Sequence, residues 1–201
     1  MRNRMKKIAL VLLAVIFAGI AGGICFGAID SVAEEELIKA TECTFVIPPD
    51  FVPGDEMGLF INQNSPMESS TIKYNYYDNG EEKVLTNREK SEMESSGASR
   101  LVDESRNLTE SIYEKTISAA YKAKYKKDVD FKVSSFDKIT VDGYPGYRID
   151  ASFQLDDMEK TYQTVYMILS RYRVFTVAYQ RAEDDDCQEA FDTSAATIHV
   201  R

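Results

Sequence analysis

Alternating apolar and polar positions dominate the stretch from Phe136 to Gln180. The pattern predicts consecutive β-strands at 136–141, 147–155, 162–169 and 174–179, separated by turn signals at 142–143, 156–157 and 171–172. The last two strands are apolar on both faces, which is typical of central strands covered on both sides. A sheet of this kind needs cover on each face, so the meander predicts helices above and below it.

The first covering helix is predicted at residues 109–127. Thr109 is a suitable N-cap, and apolar residues recur with helical spacing after it. Ile112, Ala119 and Ala123 line one side of this helix. The apolar face is extended by Tyr113, Ile117, Ala120 and Tyr121, and the alanines suggest that the helix lies close against the sheet.

A second helix is predicted at residues 186–198. Asp186 and Glu189 have the spacing of a capping box, and Phe191, Ala195 and Ile198 form an apolar stripe. The two helices and the meander together predict an α+β fold, a mainly antiparallel β-sheet with helices on both faces in an α/β/α sandwich.

Shorter strands are predicted before the first helix, at 43–47, 57–61 and 70–77. Residues 81–107 are mostly polar and predict a long solvated loop. This loop is where we first expect an element that contacts a partner.

The N-terminus predicts export. A basic cluster at 2–7 precedes residues 8–29, which carry no charged side chain. We interpret residues 1–33 as a signal peptide or membrane anchor, 34–41 as a tether and 42–201 as the folded domain. Cleavage after Ala33 and retention as a single-pass anchor both remain open; lipidation at Cys25 is disfavoured by Ile24 before it. In each case the domain is expected at the cell surface or secreted.

The net charge of −9 at pH 7 argues against nucleic-acid binding, which needs a basic surface. The four lysines at 122, 124, 126 and 127 are better explained as the basic C-terminal end of the first helix. No nucleic-acid partner is expected.

Catalytic chemistry is hard to assemble from this chain. His199 is its single histidine, the third residue from the C-terminal end, and there is no Gly-x-Ser-x-Gly elbow, Walker loop or Gly-x-Gly-x-x-Gly motif. A zinc site would need more clustered histidine and cysteine. We therefore expect a protein that is not an enzyme and has no cofactor.

Acidic residues offer one weak candidate metal site. Asp184 and Asp185, with Asp156 and Asp157 from a neighbouring turn, have the oxygen ligands that calcium prefers. Their spacing is not that of an EF-hand, and helix capping with solvation explains the same residues.

Cys43 and Cys187 are the cysteines of the exported part. An exported location permits a disulfide between them, but two buried thiols are equally compatible with the sequence.

A further candidate is a stacking platform for a sugar or peptide, formed by Tyr74, Tyr76 and Tyr77 on one predicted strand. Alternation nevertheless places Tyr74 and Tyr76 toward the core.

Several motifs together resemble the PsbP-like superfamily, in particular its small secreted or membrane-attached bacterial members. The motifs are Phe45-x-Ile47-Pro48, Val141-Asp-Gly143-Tyr-Pro-Gly-Tyr147-Arg-Ile149, Gln163-x-Val165-Tyr166, Phe175-Thr-Val-x-Tyr179 and Phe191-x-x-Ser194-x-x-x-Ile198. The resemblance spans about 41–200 and implies an antiparallel sheet with helices on both sides. It also implies a non-enzymatic role in binding and stabilising partner assemblies, but no functional motif allows a binding residue to be assigned.

The sequence therefore favours a non-catalytic extracytoplasmic binding or assembly-accessory module at the cell envelope, whose partner is an unknown envelope protein or cell-surface component. Two alternatives remain: a secreted hydrolase that uses carboxylates on glycans, and a small-ligand sensor or carrier.

Overall fold

The computed structural model describes residues 38–65, 68–78, 88, 104–155 and 158–201. The predicted signal peptide or anchor at 1–33 lies outside these ranges, as does most of the predicted 81–107 loop. Within the described ranges, no helix combines the length and the apolar character needed to cross a membrane.

The meander is confirmed as four ten-residue strands. They are β5 (Lys132–Val141), β6 (Tyr144–Phe153), β7 (Thr161–Ser170) and β8 (Arg173–Ala182). The β5–β6 turn is Asp142-Gly143, with φ of 49° and 85°. Two successive positive φ angles match the right-handed twist of a hairpin, which is why an Asp-Gly pair occupies this turn.

The earlier strands extend the sheet on the other side of β8. They are β2 (Phe51–Pro53), β3 (Leu59–Asn62) and β4 (Thr71–Asp78). The order β2-β3-β4-β8-β7-β6-β5 forms a seven-stranded antiparallel sheet. As predicted, β7 and β8 are interior strands of this sheet.

A separate two-stranded ribbon joins the two ends of the domain. Strand β1 (Cys43–Thr44) pairs antiparallel with β9 (His199–Val200). The predicted strand at 43–47 was therefore too long, because residues 45–47 leave the ribbon and run toward the C-terminal helix. The predicted C-terminal helix, 186–198, was also too long: the helix spans Gln188–Ala195, and residues 196–198 lead into β9.

Helix α1 (Glu110–Tyr125) covers one face of the sheet. Thr109 is its N-cap as predicted, and the Thr109 hydroxyl accepts a 3.4 Å hydrogen bond from the Ile112 N–H. The buried residues are Tyr113, Ile117 and Tyr121, which pack with Ile149, Phe153, Val165 and other residues of β6 and β7.

The prediction that Ala119 and Ala123 face the sheet was wrong, because both are exposed. The large residues at i, i+4 and i+8 occupy the buried face instead, where they remove more apolar area from water than alanine.

Helix α2 (Gln188–Ala195) covers part of the opposite face. Phe191 packs there with Phe175, Val177 and Tyr179, and alternate residues of β7 and β8 contribute to the two cores. The predicted capping box was wrong: the N-cap is Cys187, no side chain caps the helix, and Asp186 is exposed before it. The described chain is thus mostly antiparallel sheet with two helices.

Candidate functional site: two grooves beside helix α2

Residues 45–49 run alongside α2 and are held there by hydrogen bonds. The Ser194 hydroxyl donates to the Val46 carbonyl oxygen (2.6 Å), and the Val46 N–H donates to the Thr197 hydroxyl (2.8 Å). The Thr197 hydroxyl in turn donates to the Ser194 carbonyl (2.7 Å), and the Tyr179 hydroxyl lies 3.0 Å from the Ser194 Oγ. Both backbone polar groups of Val46 are therefore satisfied by α2 and the turn that follows it.

An open groove of about 440 Å³ lies between this segment and α2; it is called groove 1 below. Its lining residues are Val46, Pro48, Pro49, Asp186, Glu189, Ala190, Thr193, Ser194 and Thr197. The Val46 side chain is apolar yet 61% exposed, although its backbone is fixed. Asp186 and Glu189 are exposed and make the groove acidic. Groove 1 thus offers a pre-formed apolar surface with negative charge beside it.

A second groove of about 440 Å³, groove 2, contains Arg148, Tyr166, Asp192, Ala195 and Ala196. Arg148 forms a 3.4 Å ion pair with Asp150, and its buried Nε has no hydrogen-bond partner among the residues that the structure describes. Burial raises the pKa of Tyr166, and the nearby Arg148 guanidinium partly opposes this shift. Groove 2 therefore combines a cation, a neutral phenol and a carboxylate.

Of the acidic residues predicted as a weak metal site, Asp184 and Asp185 lie among the described residues. Asp185 is 5% exposed, and its Oδ2 accepts hydrogen bonds from the Ser69 N–H (3.0 Å), the Ser69 hydroxyl (3.1 Å) and the Ala182 N–H (3.2 Å). Asp184 points to solvent. Asp156 and Asp157 lie outside the described residues, and the described ranges contain no group of three or more ligating side chains. Asp185 fixes the loop before α2 to the segment before β4.

Cys43 and Cys187 are both buried free thiols in the same core. Burial raises the pKa of Cys43 to about 12 and that of Cys187 to about 11, with a hydrogen bond from Ser70 opposing the second shift. Neither thiol is activated as a nucleophile, because a thiol reacts as the thiolate.

His199 lies on β9 and is exposed, as the sequence indicated. Its Nδ1 is 3.2 Å from the Asp142 carboxylate, which also accepts a 2.8 Å hydrogen bond from the Val200 N–H. This contact attaches the β5–β6 turn to the end of the chain.

The three tyrosines of β4 do not form one platform. Tyr74 packs partly buried against Phe45, whereas Tyr77 packs against the core on the α1 side. Tyr76 is 51% exposed and carries the Arg173 guanidinium 4.7 Å from its ring centroid. The exposed ring is therefore already covered by a cation.

Sequence reasoning missed both grooves. Ser194 and Pro48 were noticed within motifs, but without a binding role, and Arg148 was taken only as an outward-facing strand residue. The one available signal was Ser194, a polar residue three positions after Phe191 on the apolar stripe of α2.

Comparison with known proteins gives a likeness of fold. No family model matches the chain, and no curated protein matches it. Among solved structures, cyanobacterial PsbP (CyanoP) from Synechocystis has a TM-score of 0.51 and 16% identity, covering 90% of this chain and 99% of that one.

A second similar structure is LpqN, described as involved in cell envelope biogenesis of Mycobacterium tuberculosis. Its TM-score is 0.42 at 12% identity, with 79% of this chain and 82% of that chain covered. The likeness to CyanoP extends over nearly its whole length, and it agrees with the sheet and helices described above. The resemblance read from the sequence motifs is confirmed at the level of architecture: the chain has a PsbP-like fold.

Proposed function

We propose that the protein is a non-catalytic binding or assembly-accessory module, exported to the cell envelope, that holds a partner protein in groove 1. The observation that carries the proposal is the exposed Val46 side chain on a backbone fixed by Ser194 and Thr197. A pre-formed apolar surface loses little conformational entropy on binding, so more of the contact energy contributes to affinity.

The lining of groove 1 favours one class of partner. Val46, Pro48, Pro49 and Ala190 offer apolar contacts, and the hydroxyl of Thr193 adds a polar group at the surface. Asp186 and Glu189 add negative charge. The complementary partner is a protein segment with apolar side chains and at least one lysine or arginine.

The export part of the proposal rests on the N-terminal sequence, with its basic cluster and uncharged stretch at 8–29. The PsbP-like fold is compatible with it. Fractionation of cells expressing the full chain tests this part: the domain is expected in the medium or on the outer side of a membrane. Recovery in the cytosol would contradict it.

The binding part is tested by crosslinking on intact cells with an Ala190→Arg variant. Ala190 lines groove 1, so an arginine there would fill the groove and oppose a basic partner. The matched control is Ala119→Arg on the exposed surface of α1. We expect Ala190→Arg to lose the crosslinked species and Ala119→Arg to keep it; equal loss or equal retention in both would contradict the proposal.

Groove 2 favours a second candidate, a small-ligand carrier. The partly exposed Arg148 guanidinium lines groove 2 and can pair with a ligand carboxylate, and Tyr166 lines the same groove. Calorimetric titration with small carboxylates tests it. Saturable binding that disappears in Arg148→Gln would support the carrier, and no heat with any of these carboxylates would exclude it.

The hydrolase alternative stays a prediction, with the exposed Asp186 and Glu189 of groove 1 as its available carboxylates.

A further inference from the structure

A row of buried polar side chains crosses the sheet beneath α1, away from both grooves. Gln163 on β7 is the register partner of Gln180 on β8, which is the partner of Thr71 on β4. All three are at most 2% exposed. They alternate with residues of the α2-side core, such as Ile72 and Tyr179, so the row lies on the α1 face.

Tyr121 belongs to α1, the helix that covers this face of the sheet. It is 1% exposed, its ring centroid lies 4.8 Å from that of Phe153 in a tilted arrangement, and its contact with the Gln163 side chain partly opposes the effect of burial on its pKa. Burial raises the pKa of Tyr121 well above its usual value, so the phenol stays neutral.

Five polar atoms of this row have no hydrogen-bond partner among the described residues. They are Thr71 Oγ1, Tyr121 OH, Gln163 Nε2, Gln163 Oε1 and Gln180 Oε1. A buried polar atom left unpaired lowers the folding equilibrium constant by roughly five- to a hundredfold. Five unpaired polar atoms in one place would cost more than a stable domain can tolerate, so we expect them to have hydrogen-bond partners.

The functional groups of the row indicate which class of ligand can bind to it. Amides and hydroxyls are neutral and present both donors and acceptors. The buried charges of the adjoining segments are already paired: Lys73 Nζ lies 3.1 Å from Glu56 and 3.1 Å from the Met57 carbonyl oxygen, and Asp185 accepts hydrogen bonds from Ser69 and Ala182. An ion would have no countercharge here, whereas a neutral hydroxyl group can donate and accept along the row.

We propose that Thr71, Tyr121, Gln163 and Gln180 form an internal binding site for neutral hydroxyl groups. Its occupant is either a chain of water molecules or a small polyol; both present the same O–H group. Tyr125 and Thr176 have unpaired buried hydroxyls on the same face but lie off the row, and they are not part of the proposed site.

The test uses the full chain labelled with ¹⁵N-glutamine and held in dodecylphosphocholine, a detergent without hydroxyl groups. Magnetisation transfer from water to the side-chain amide of Gln163 reports bound water. Glycerol and glucose are then titrated separately. If magnetisation transfer from water to Gln163 persists throughout both titrations, the occupant is water. A saturable shift of the Gln163 and Gln180 amide signals, with loss of transfer, identifies the polyol.

Substitution provides the second arm. Gln163→Leu removes two of the five atoms. Gln154→Leu is the control, since Gln154 is exposed and its side-chain Nε2 donates to the Met158 carbonyl (2.9 Å). We expect Gln163→Leu to lower the folding equilibrium constant about tenfold and to abolish the response of Gln180, with Gln154→Leu unchanged. The proposal is overturned if the wild type shows neither water transfer nor a polyol response, or if Gln163→Leu is the more stable protein.

Discussion

The Ser194 hydroxyl donates a 2.6 Å hydrogen bond to the Val46 carbonyl oxygen, joining residues 148 positions apart in the sequence. The same Oγ lies 3.0 Å from the Tyr179 hydroxyl. Ser194 therefore connects the sheet, α2 and the segment that forms the far side of groove 1. It is 2% exposed, so water cannot replace it easily.

Ser194→Ala should lower the free energy of unfolding by about 2 kcal/mol, because it removes the donor to the partly buried Val46 carbonyl and the partner of the buried Tyr179 hydroxyl. Urea denaturation measures this loss. Thr193→Ala is the control, since Thr193 is the exposed neighbour on the same helix, and it should change stability by less than about 0.5 kcal/mol. Similar losses in both variants would mean that the Ser194 hydrogen bonds do not hold the segment.

Asp185→Ala should destabilise the protein by about 3 kcal/mol. The substitution removes the acceptor for two backbone N–H groups and one hydroxyl, all buried around Ser69 and Ala182. Asp184→Ala should be neutral, because Asp184 is exposed. Thermal melts of both variants measure the difference, and added calcium should leave the melting temperature of the wild type unchanged. A calcium-dependent rise that Asp184→Ala abolishes would restore the metal site as a hypothesis.

Asp142 should make stability depend on acid pH. The hydrogen bond from the Val200 N–H, and then the contact with His199, lower the pKa of this carboxyl below its ordinary 3.8. A lowered folded pKa means that the contribution is complete above about pH 4 and is lost as the pH falls through the folded value. The melting temperature of the wild type should therefore fall more below about pH 4 than that of Asp142→Asn. Asp184→Asn should follow the wild type; parallel curves for all three proteins would contradict the assignment.

The thiols of Cys43 and Cys187 should resist maleimide in the folded protein. Both are buried, and burial raises the pKa of each, so little thiolate is present at neutral pH. Under non-reducing conditions, guanidinium should make both react. Mass spectrometry counts the labels: two new labels on unfolding are expected, and none without reductant would show that the two cysteines form a disulfide.

The meander was predictable because its information is local. Alternation in β6 assigns Tyr147, Ile149 and Phe153 to one face, and the Asp142-Gly143 turn sets the register of β5 against β6. The doubly apolar β7 and β8 could only be interior strands. Helix α1 was predicted to within two residues at its end, and Tyr113, Ile117 and Tyr121 of its predicted apolar face are buried, whereas Ala119 and Ala123 are exposed.

Features that join distant residues were not predictable. The β1–β9 ribbon pairs Cys43 with Val200, and no local pattern distinguishes that pairing from a longer helix. The capping box failed because the helix begins at Gln188 with Cys187 as its N-cap, after a loop that Asp185 fixes to Ser69, far away in sequence. Groove 1 arises from the same kind of contact, between Val46 and Ser194, so its residues carry no shared motif.

Photo-crosslinking from single positions tests the central claim, that groove 1 binds an envelope partner, most directly. A benzoylphenylalanine placed at Thr193 is exposed within groove 1, and one placed at Ala123 is exposed on α1 at the opposite face. In intact cells, we expect a discrete adduct from position 193 that disappears when Ala190→Arg is added, and none from position 123. Equal adducts from both positions, or an adduct at 193 that survives Ala190→Arg, would contradict the proposed binding groove.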